Sequence, residues 1–332
     1  MLDRRRFLNL AAFALPRAIP CVAEIVSGLP KQMPSDEVEV IQTRVFAAGR
    51  NGGNPCPVVA VADGLSDSEM QNLARRFGLD TAFILRPRVK DADIRVRYFV
   101  PDHEMGVSGH ATIAAITVLL QNKASRPRTL KIETSTGVFE ATWIRDGSRY
   151  VITLGQNPPI FGSIVEPGLV AGVLKIHLNQ MVLAKSPIQV VSVSRAKLLV
   201  PLLDWRVLDH LTPDFEALWE LCDKQAATGL YPFTRRTNKR NVEAEARQFP
   251  LRAGFPEDAA TGVAAAALGA YLTRYDLGCQ TGQHEFRIAQ GYAMGAPSVI
   301  QAIADCANGT VNKTAIRGVA DIVRHERIPV IK

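Results

Sequence analysis

Two segments of the 332-residue chain have the residue types and spacing to hold a small anion. One reads Val107-Ser108-Gly109-His110-Ala111-Thr112. The other reads Pro256-Glu257-Asp258-Ala259-Ala260-Thr261-Gly262-Val263. Each runs into a strongly apolar stretch, 111–120 and 262–272, so each is read as the start of a helix. First-turn amides have no acceptor inside their own helix, and the helix dipole adds partial positive charge at the same end. Two such starts facing one another would grip a carboxylate without Lys or Arg. A glycine in each, Gly109 and Gly262, would let the ligand approach the backbone closely. The same segments would serve equally as small-residue caps on two core helices, and the pattern alone leaves both readings open.

The surrounding elements fall into two similar sets. Residues 38–46 alternate and are β-branched, which predicts a strand. Residues 49–57 read as a Gly/Asn/Pro turn and 58–62 as a short buried strand. Ser66 with Glu69 forms a capping box for a helix whose apolar face is Met70, Leu73, Ala74 and Phe77, and Gly78 ends it. Strands follow at 82–85 and 94–100, then the first apolar helix, then a hairpin over 130–134 and 137–144. In the second half the apolar helix is alanine-rich and is followed by strands at 285–290, 298–302 and 309 onward. Neither apolar helix has a polar face, so both should be buried on nearly all sides. Gln156-Asn157-Pro158-Pro159 separates the two sets, giving a 38–155 domain and a 156–332 domain. The likeness is one of pattern, with negligible identity between the halves.

Composition narrows the class. Apolar residues make up 47% and charged residues 21%, as in ordinary globular proteins, and the length suits about two domains. The net charge is +7, but its densest run, Arg235, Arg236, Lys239 and Arg240, lacks interleaved aromatics. It reads as a solvated loop rather than a nucleic-acid patch. The five cysteines are scattered with no CxxC, and the six histidines show no HExxH. A zinc ribbon, another metal site and a disulfide-dense scaffold are therefore not expected. Residues 1–37 form a leader or a disordered extension. Arg4-Arg5-Arg6-Phe7-Leu8 and the short apolar run after it resemble a twin-arginine export signal. Arg17, Pro16 and Pro20 interrupt that run, and no stretch is long enough for a stable membrane span. The expected location is cytoplasmic, with export to the periplasm as the alternative.

Five short motifs in order carry a resemblance. Asn54-Pro55-Cys56-Pro57-Val58-Val59, Arg97-Tyr98-Phe99, Ser108-Gly109-His110-Ala111-Thr112, Glu257-Asp258-Ala259-Ala260-Thr261-Gly262 and Gln290-Gly291-Tyr292-Ala293-Met294-Gly295 together resemble the PhzF-like phenazine-biosynthesis family. That family lies in the diaminopimelate-epimerase-like fold superfamily. The resemblance covers residue 38 to the C-terminus. It implies an α/β (α+β) fold of two pseudo-repeated domains, each a curved mixed sheet or barrel wrapped around a central helix. It also implies a cleft between the domains, a homodimer, and isomerisation of a small carboxylate by acid–base proton transfer without cofactor or metal.

By this resemblance Asp80, in Leu79-Asp80-Thr81-Ala82-Phe83, takes the place of the family's acid/base glutamate, one methylene shorter. Asp80, His110 and Asp258 are then the catalytic set, with Asp258 orienting the histidine or bonding the substrate. Asn54, Ser108, Gly109, His110, Thr261, Gly262 and Val263 would line the substrate, held by the amides of Gly109, His110, Gly262 and Val263. Turn, cap and core roles compete for Asp80, Asp258, Asn54 and His110. Ser108 and Ala259 stand where thiol-dependent epimerases have cysteines, which disfavours a two-thiol mechanism. Ala259 and Val263 replace the family's usual Pro and Ser, and Ala296 a common arginine. These departures argue for a different substrate or for decayed catalysis. An isomerase is the first reading; a non-catalytic carboxylate binder and a non-thiol epimerase are the alternatives.

Overall fold

The computed structural model describes residues 37–121 and 128–330; the arginine-rich segment expected to be a leader or an extension lies outside the described residues. Alternating burial marks the strands, as in β1 (Glu37–Val45), where Val38 and Val40 are buried and Glu37 and Glu39 exposed. The first half continues with β2 (Asn54–Val59), β3 (Thr81–Leu85), β4 (Ile94–Phe99), β5 (Glu104–Met105), β6 (Thr129–Thr134), β7 (Gly137–Asp146) and β8 (Arg149–Gln156). The second half holds β9 (Ile160–Ile164), β10 (Gln189–Ser192), β11 (Ala196–Pro201), β12 (Gly229–Thr234), β13 (Ala244–Ala246) and β14 (Phe249–Pro250). It ends with β15 (Gly282–Gln290), β16 (Ser298–Ala307), β17 (Thr310–Gly318) and β18 (Ala320–Pro329). The α-helices are α1 (Asp67–Phe77), α2 (Gly109–Gln121), α3 (Pro167–Leu174), α4 (Trp205–Asp209), α5 (Phe215–Lys224) and α6 (Gly262–Tyr275).

The pairing senses repeat. From β1 they run antiparallel to β2, parallel to β3, antiparallel to β4, parallel to β6, antiparallel to β7 and antiparallel to β8. From β10 the same order of senses leads through β11, β12, β13, β15 and β16 to β17. The halves are thus two copies of one curved mixed sheet, each wrapped around its apolar helix. They join where β8 pairs with β17. The strand after each set then crosses over: β9 pairs with β10, and β18 pairs with β1 along its whole length.

Every residue from Gly109 to Leu120 in α2 and from Gly262 to Thr273 in α6 is buried. Both helices belong to one hydrophobic core that runs through the two halves. The small side chains of α6 let the sheet close on it; a Cβ on Gly269 would lie 2.9 Å from the Cβ of Ala302 in β16. The amphipathic α1 packs Met70, Leu73 and Ala74 on the outer side of the first sheet. Its capping box, Ser66 with Glu69, is formed, and Gly78 closes it in the left-handed region at φ 63.

The turn expected over residues 49–57 is corrected. β2 starts at Asn54, so Pro55 and Pro57 lie in a strand rather than a turn; β3 pairs only with Val58 and Val59, leaving the prolines a single ladder partner. Helices α3 to α5 and their outer core occupy a region in which no helix was expected. Cys279 and Cys306 form a disulfide between the turn after α6 and β16. In the basic run, Arg235 pairs with Asp276 at 3.2 Å and Lys239 with Glu245 at 3.6 Å. Among the described residues no helix is long and apolar enough to cross a membrane, and no cluster of His, Cys, Asp or Glu is arranged to hold a metal ion.

Candidate active site

The starts of α2 and α6 meet. A Cβ on Gly109 would lie 3.3 Å from the Gly262 Cα, and one on Gly262 would lie 3.4 Å from the Gly109 Cα. The Ile316 Cδ1 on β17 would be 2.8 Å from the former. The glycines therefore face each other and a core side chain. They let two helix ends abut, and this corrects their reading as a gap for the ligand. No acceptor outside the helices meets the N–H groups of Gly109, His110, Gly262 or Val263 among the described residues. These four residues, with Ser108 and Thr261, line a cleft of about 450 Å³, the solvent at its open mouth included.

Local structure fixes the first-half acid. Gly78 reverses the chain after α1, and Asp80 then enters β3 with 6% exposure. Its Oδ2 accepts a hydrogen bond from the Ser108 hydroxyl at 2.8 Å and lies 3.5 Å from His110 Nε2. The Ser108 hydroxyl is also 3.4 Å from His110 Nδ1. Asp80 Oδ1 and His110 Nε2 are buried with no hydrogen-bond partner, and both residues line the cleft. Burial raises the Asp80 pKa above the usual carboxylate range, against the opposing pull of His110 and the Ser108 hydrogen bond. Behind them, the Tyr98 hydroxyl on β4 lies 2.7 Å from the Thr112 hydroxyl, which bonds the Ser108 carbonyl at 2.6 Å and pins the start of α2.

The second-half acid is held differently. Asp258 Oδ1 accepts from Asn54 Nδ2 and Oδ2 from the Thr261 hydroxyl, both at 2.5 Å. Asn54 also donates to the Ala260 carbonyl at 2.9 Å, linking β2 of one half to the loop of the other. Gln290 donates to the Asp258 carbonyl at 2.7 Å, while its own oxygen accepts from the Tyr231 hydroxyl at 2.9 Å and the Thr261 N–H at 3.2 Å. Glu257 is clamped by Arg247 at 2.7 and 2.9 Å, and Arg247 also donates to the carbonyls of Leu208, Asp209 and Leu211 around the end of α4. Asp258 thus lines the cleft with both oxygens engaged. It does not orient His110, whose near neighbours are Asp80 and Ser108.

Three cleft residues escaped the sequence reading. Arg195 stands in the turn between β10 and β11, Lys197 follows in β11, and Gln248 precedes β14. A site expected to hold an anion without Lys or Arg has both. The signal was a lysine, Lys197, inside an otherwise apolar strand, two residues after Arg195 in the preceding turn. Lys197 is 2% exposed; desolvation, with Arg195 adding to it, pushes its pKa down to about 7. Cys56 is buried and lies near enough to Asp80 and Asp258 for their charges to raise its pKa, chiefly raised by burial, but it does not line the cleft.

Two sheets of one design, each around a buried helix whose start opens on a shared cleft, make the fold that phenazine biosynthesis-like proteins share. The chain belongs to the phenazine biosynthesis-like family (PhzC-PhzF), whose model matches residues 43–326. It is 32% identical over 292 residues to the uncharacterised isomerase YddE of Escherichia coli K12, covering 86% of this chain and 97% of that protein. It is 30% identical over 275 residues to the trans-2,3-dihydro-3-hydroxyanthranilate isomerase of Pseudomonas aeruginosa PAO1, covering 82% and 92%. The crystal structure of the PhzF-family phenazine biosynthesis protein of Bacillus anthracis matches with a TM-score of 0.79 at 26% identity, covering 88% of this chain and 99% of that one. The chain is accordingly an enzyme of the isomerase class.

Proposed function

We propose that the cleft moves a proton between two carbons of a small carboxylate, using side-chain acid–base chemistry alone. The observation that carries this is a pair of adjacent, buried, unpartnered titratable atoms, Asp80 Oδ1 and His110 Nε2, beside two abutting helix starts. The first-turn amides hold the substrate carboxylate and stabilise charge that spreads into it when a neighbouring C–H is broken. Asp80, its pKa lifted by burial, takes the proton from carbon on Oδ1 and becomes neutral. After exchange with solvent on Asp80, or by relay through His110, a proton is delivered to a second carbon of the conjugated anion, which restores the carboxylate of Asp80. Ser108 keeps Oδ2 occupied, so Oδ1 is the reactive oxygen. The name of the Pseudomonas relative, an isomerase of a hydroxyanthranilate, agrees with a small unsaturated acid.

The test is proton exchange. The full chain in deuterium oxide, given trans-2,3-dihydro-3-hydroxyanthranilate and a panel of small unsaturated acids, should place deuterium on carbon in at least one, and Asp80→Asn should not. Binding without exchange in any acid would leave the non-catalytic reading standing. Retained configuration at the labelled carbon would exclude the epimerase alternative.

The Cys279–Cys306 bridge favours an oxidising compartment over the cytoplasm, and with it the twin-arginine reading of residues 1–37. Native protein recovered with two free thiols, from Cys56 and Cys222 as the only other described cysteines, plus that of Cys21 if the leader is retained, would agree. Two more thiols would return the protein to the cytoplasm.

A further inference from the structure

The proton transfer at Asp80 and His110 leaves three polar groups of the cleft without a task. Arg195 is partly buried and faces no carboxylate within 4.0 Å among the described residues; its hydrogen bond goes to the Met105 sulfur at 2.9 Å. Gln248 is 1% exposed, and neither its Oε1 nor its Nε2 has a partner. Among the described residues Lys197 donates to the Thr228 carbonyl alone, at 3.2 Å. The wall around them is otherwise apolar, with Val100, Met105, Pro250 and Phe255. Polar groups in such surroundings are normally satisfied, because an unmade bond there has no water to replace it. Arg195 does feel the charges of Asp80 and Asp258, which oppose the effect of its own desolvation. Neither acid is close enough to pair with it, and both oxygens of Asp258 are already taken.

We infer that the cleft takes a short dicarboxylic acid, one carboxylate on the amides of the paired helix starts and the other on Arg195 and Gln248. This rests on the reading of the helix starts as a carboxylate site and adds the substrate class to it. The guanidinium presents a planar fork that matches a carboxylate with two parallel hydrogen bonds. The Gln248 amide N–H supplies a further donor to the same group. Lys197 stands behind Arg195 and adds positive potential. A monocarboxylic acid of equal length would satisfy the helix starts and leave Arg195 and Gln248 unpaired, now shut off from water. A site built to bond a group discriminates strongly against an analogue that lacks it.

Titration calorimetry of the full chain tests this with succinate, glutarate and adipate against butanoate, pentanoate and hexanoate. The best diacid should bind about tenfold or more tighter than its monoacid partner, the range expected for one charge-assisted pair. Arg195→Gln should remove that preference and leave monoacid affinity within about twofold, since the helix starts are untouched. Gln248→Leu should reduce the preference in part and melt no lower than wild type, because it deletes two unmet groups. It also serves if Arg195→Gln does not fold. Equal affinities in the wild type, or variants that weaken both acid classes alike, would overturn the second subsite and leave the helix-start site intact. Failure of every acid to bind would sink both.

Discussion

The two halves share a scaffold and divide the chemistry. Their sheets pair in the same order of senses, and each buries one apolar helix from its first residue. At the helix starts the sequences correspond, Ser108-Gly109-His110 against Thr261-Gly262-Val263. Yet the first half sets Asp80 immediately before β3 and adds His110, while the second has Thr228 immediately before β12 and Val263 in the histidine's place. Asp80 keeps an oxygen free; Asp258 has both of its oxygens bonded. The second half supplies cations and an amide instead. Backbone amides follow from topology alone and so appear twice. Acid–base groups depend on single side chains, and one set suffices if the proton leaves and returns on the same face of the substrate.

That contrast can be broken or sharpened by substitution. Asp80→Asn should lower turnover about a thousandfold, within the usual range for loss of a general acid–base group, as measured by deuterium uptake. It should also stabilise the fold at neutral pH. The native Asp80 carboxyl binds its proton more tightly than the unfolded one, so wild-type stability falls as pH rises from the unfolded value near 3.8 through the raised native value. The amide variant should lack that fall in a pH series of urea melts. Arg247→Met should cost about 1.5–3 kcal/mol, because it leaves the partly buried Glu257 charged without its partner; a loss below about 1 kcal/mol would mean that the clamp is not what fixes the Asp258 loop.

His110→Val copies the second half into the first. It should lower kcat about a hundredfold while carboxylate binding survives, since the amides remain. Gly109→Ala should cost about 1–3 kcal/mol through contact with Ile316 and Gly262, and Ile316→Val should restore part of it. Lys197→Met should gain stability over the wild type most below pH 7. The depressed native pKa, about 7, makes wild-type stability rise with pH from there to the unfolded value near 10.5.

Legibility in the sequence followed the range of the interactions. The central helices were readable because they lack a polar face, and α1 because its two ends carry local caps. The repeat was readable as a pattern, since equal burial demands equal periodicity. Helices α3 to α5 were not, although α5 has a local signal, Asp214 capping an amphipathic run that buries Leu218, Leu221 and Cys222. The meeting of Asp80, Ser108 and His110 came through resemblance, because nothing local ties residue 80 to residue 110. The back-to-back glycines were misread, since their partner lies more than 150 residues away. The Asn54–Asp258 bond was illegible for the same reason. Arg195 and Lys197 lie in plain view, but nothing local shows that this turn and strand face a cleft built mostly by other segments.

The crossing of β18 onto β1 governs how the chain can be made. While the ribosome lengthens the polypeptide from residue 45 to residue 320, the outer edge of β1 has no mate. At ordinary elongation speeds that interval lasts roughly 15–60 s. An unmated edge is a template for clumping with neighbouring nascent chains, so Glu37 and Glu39 at its tip, both solvent-facing, have work to do as charged guards before the enzyme exists.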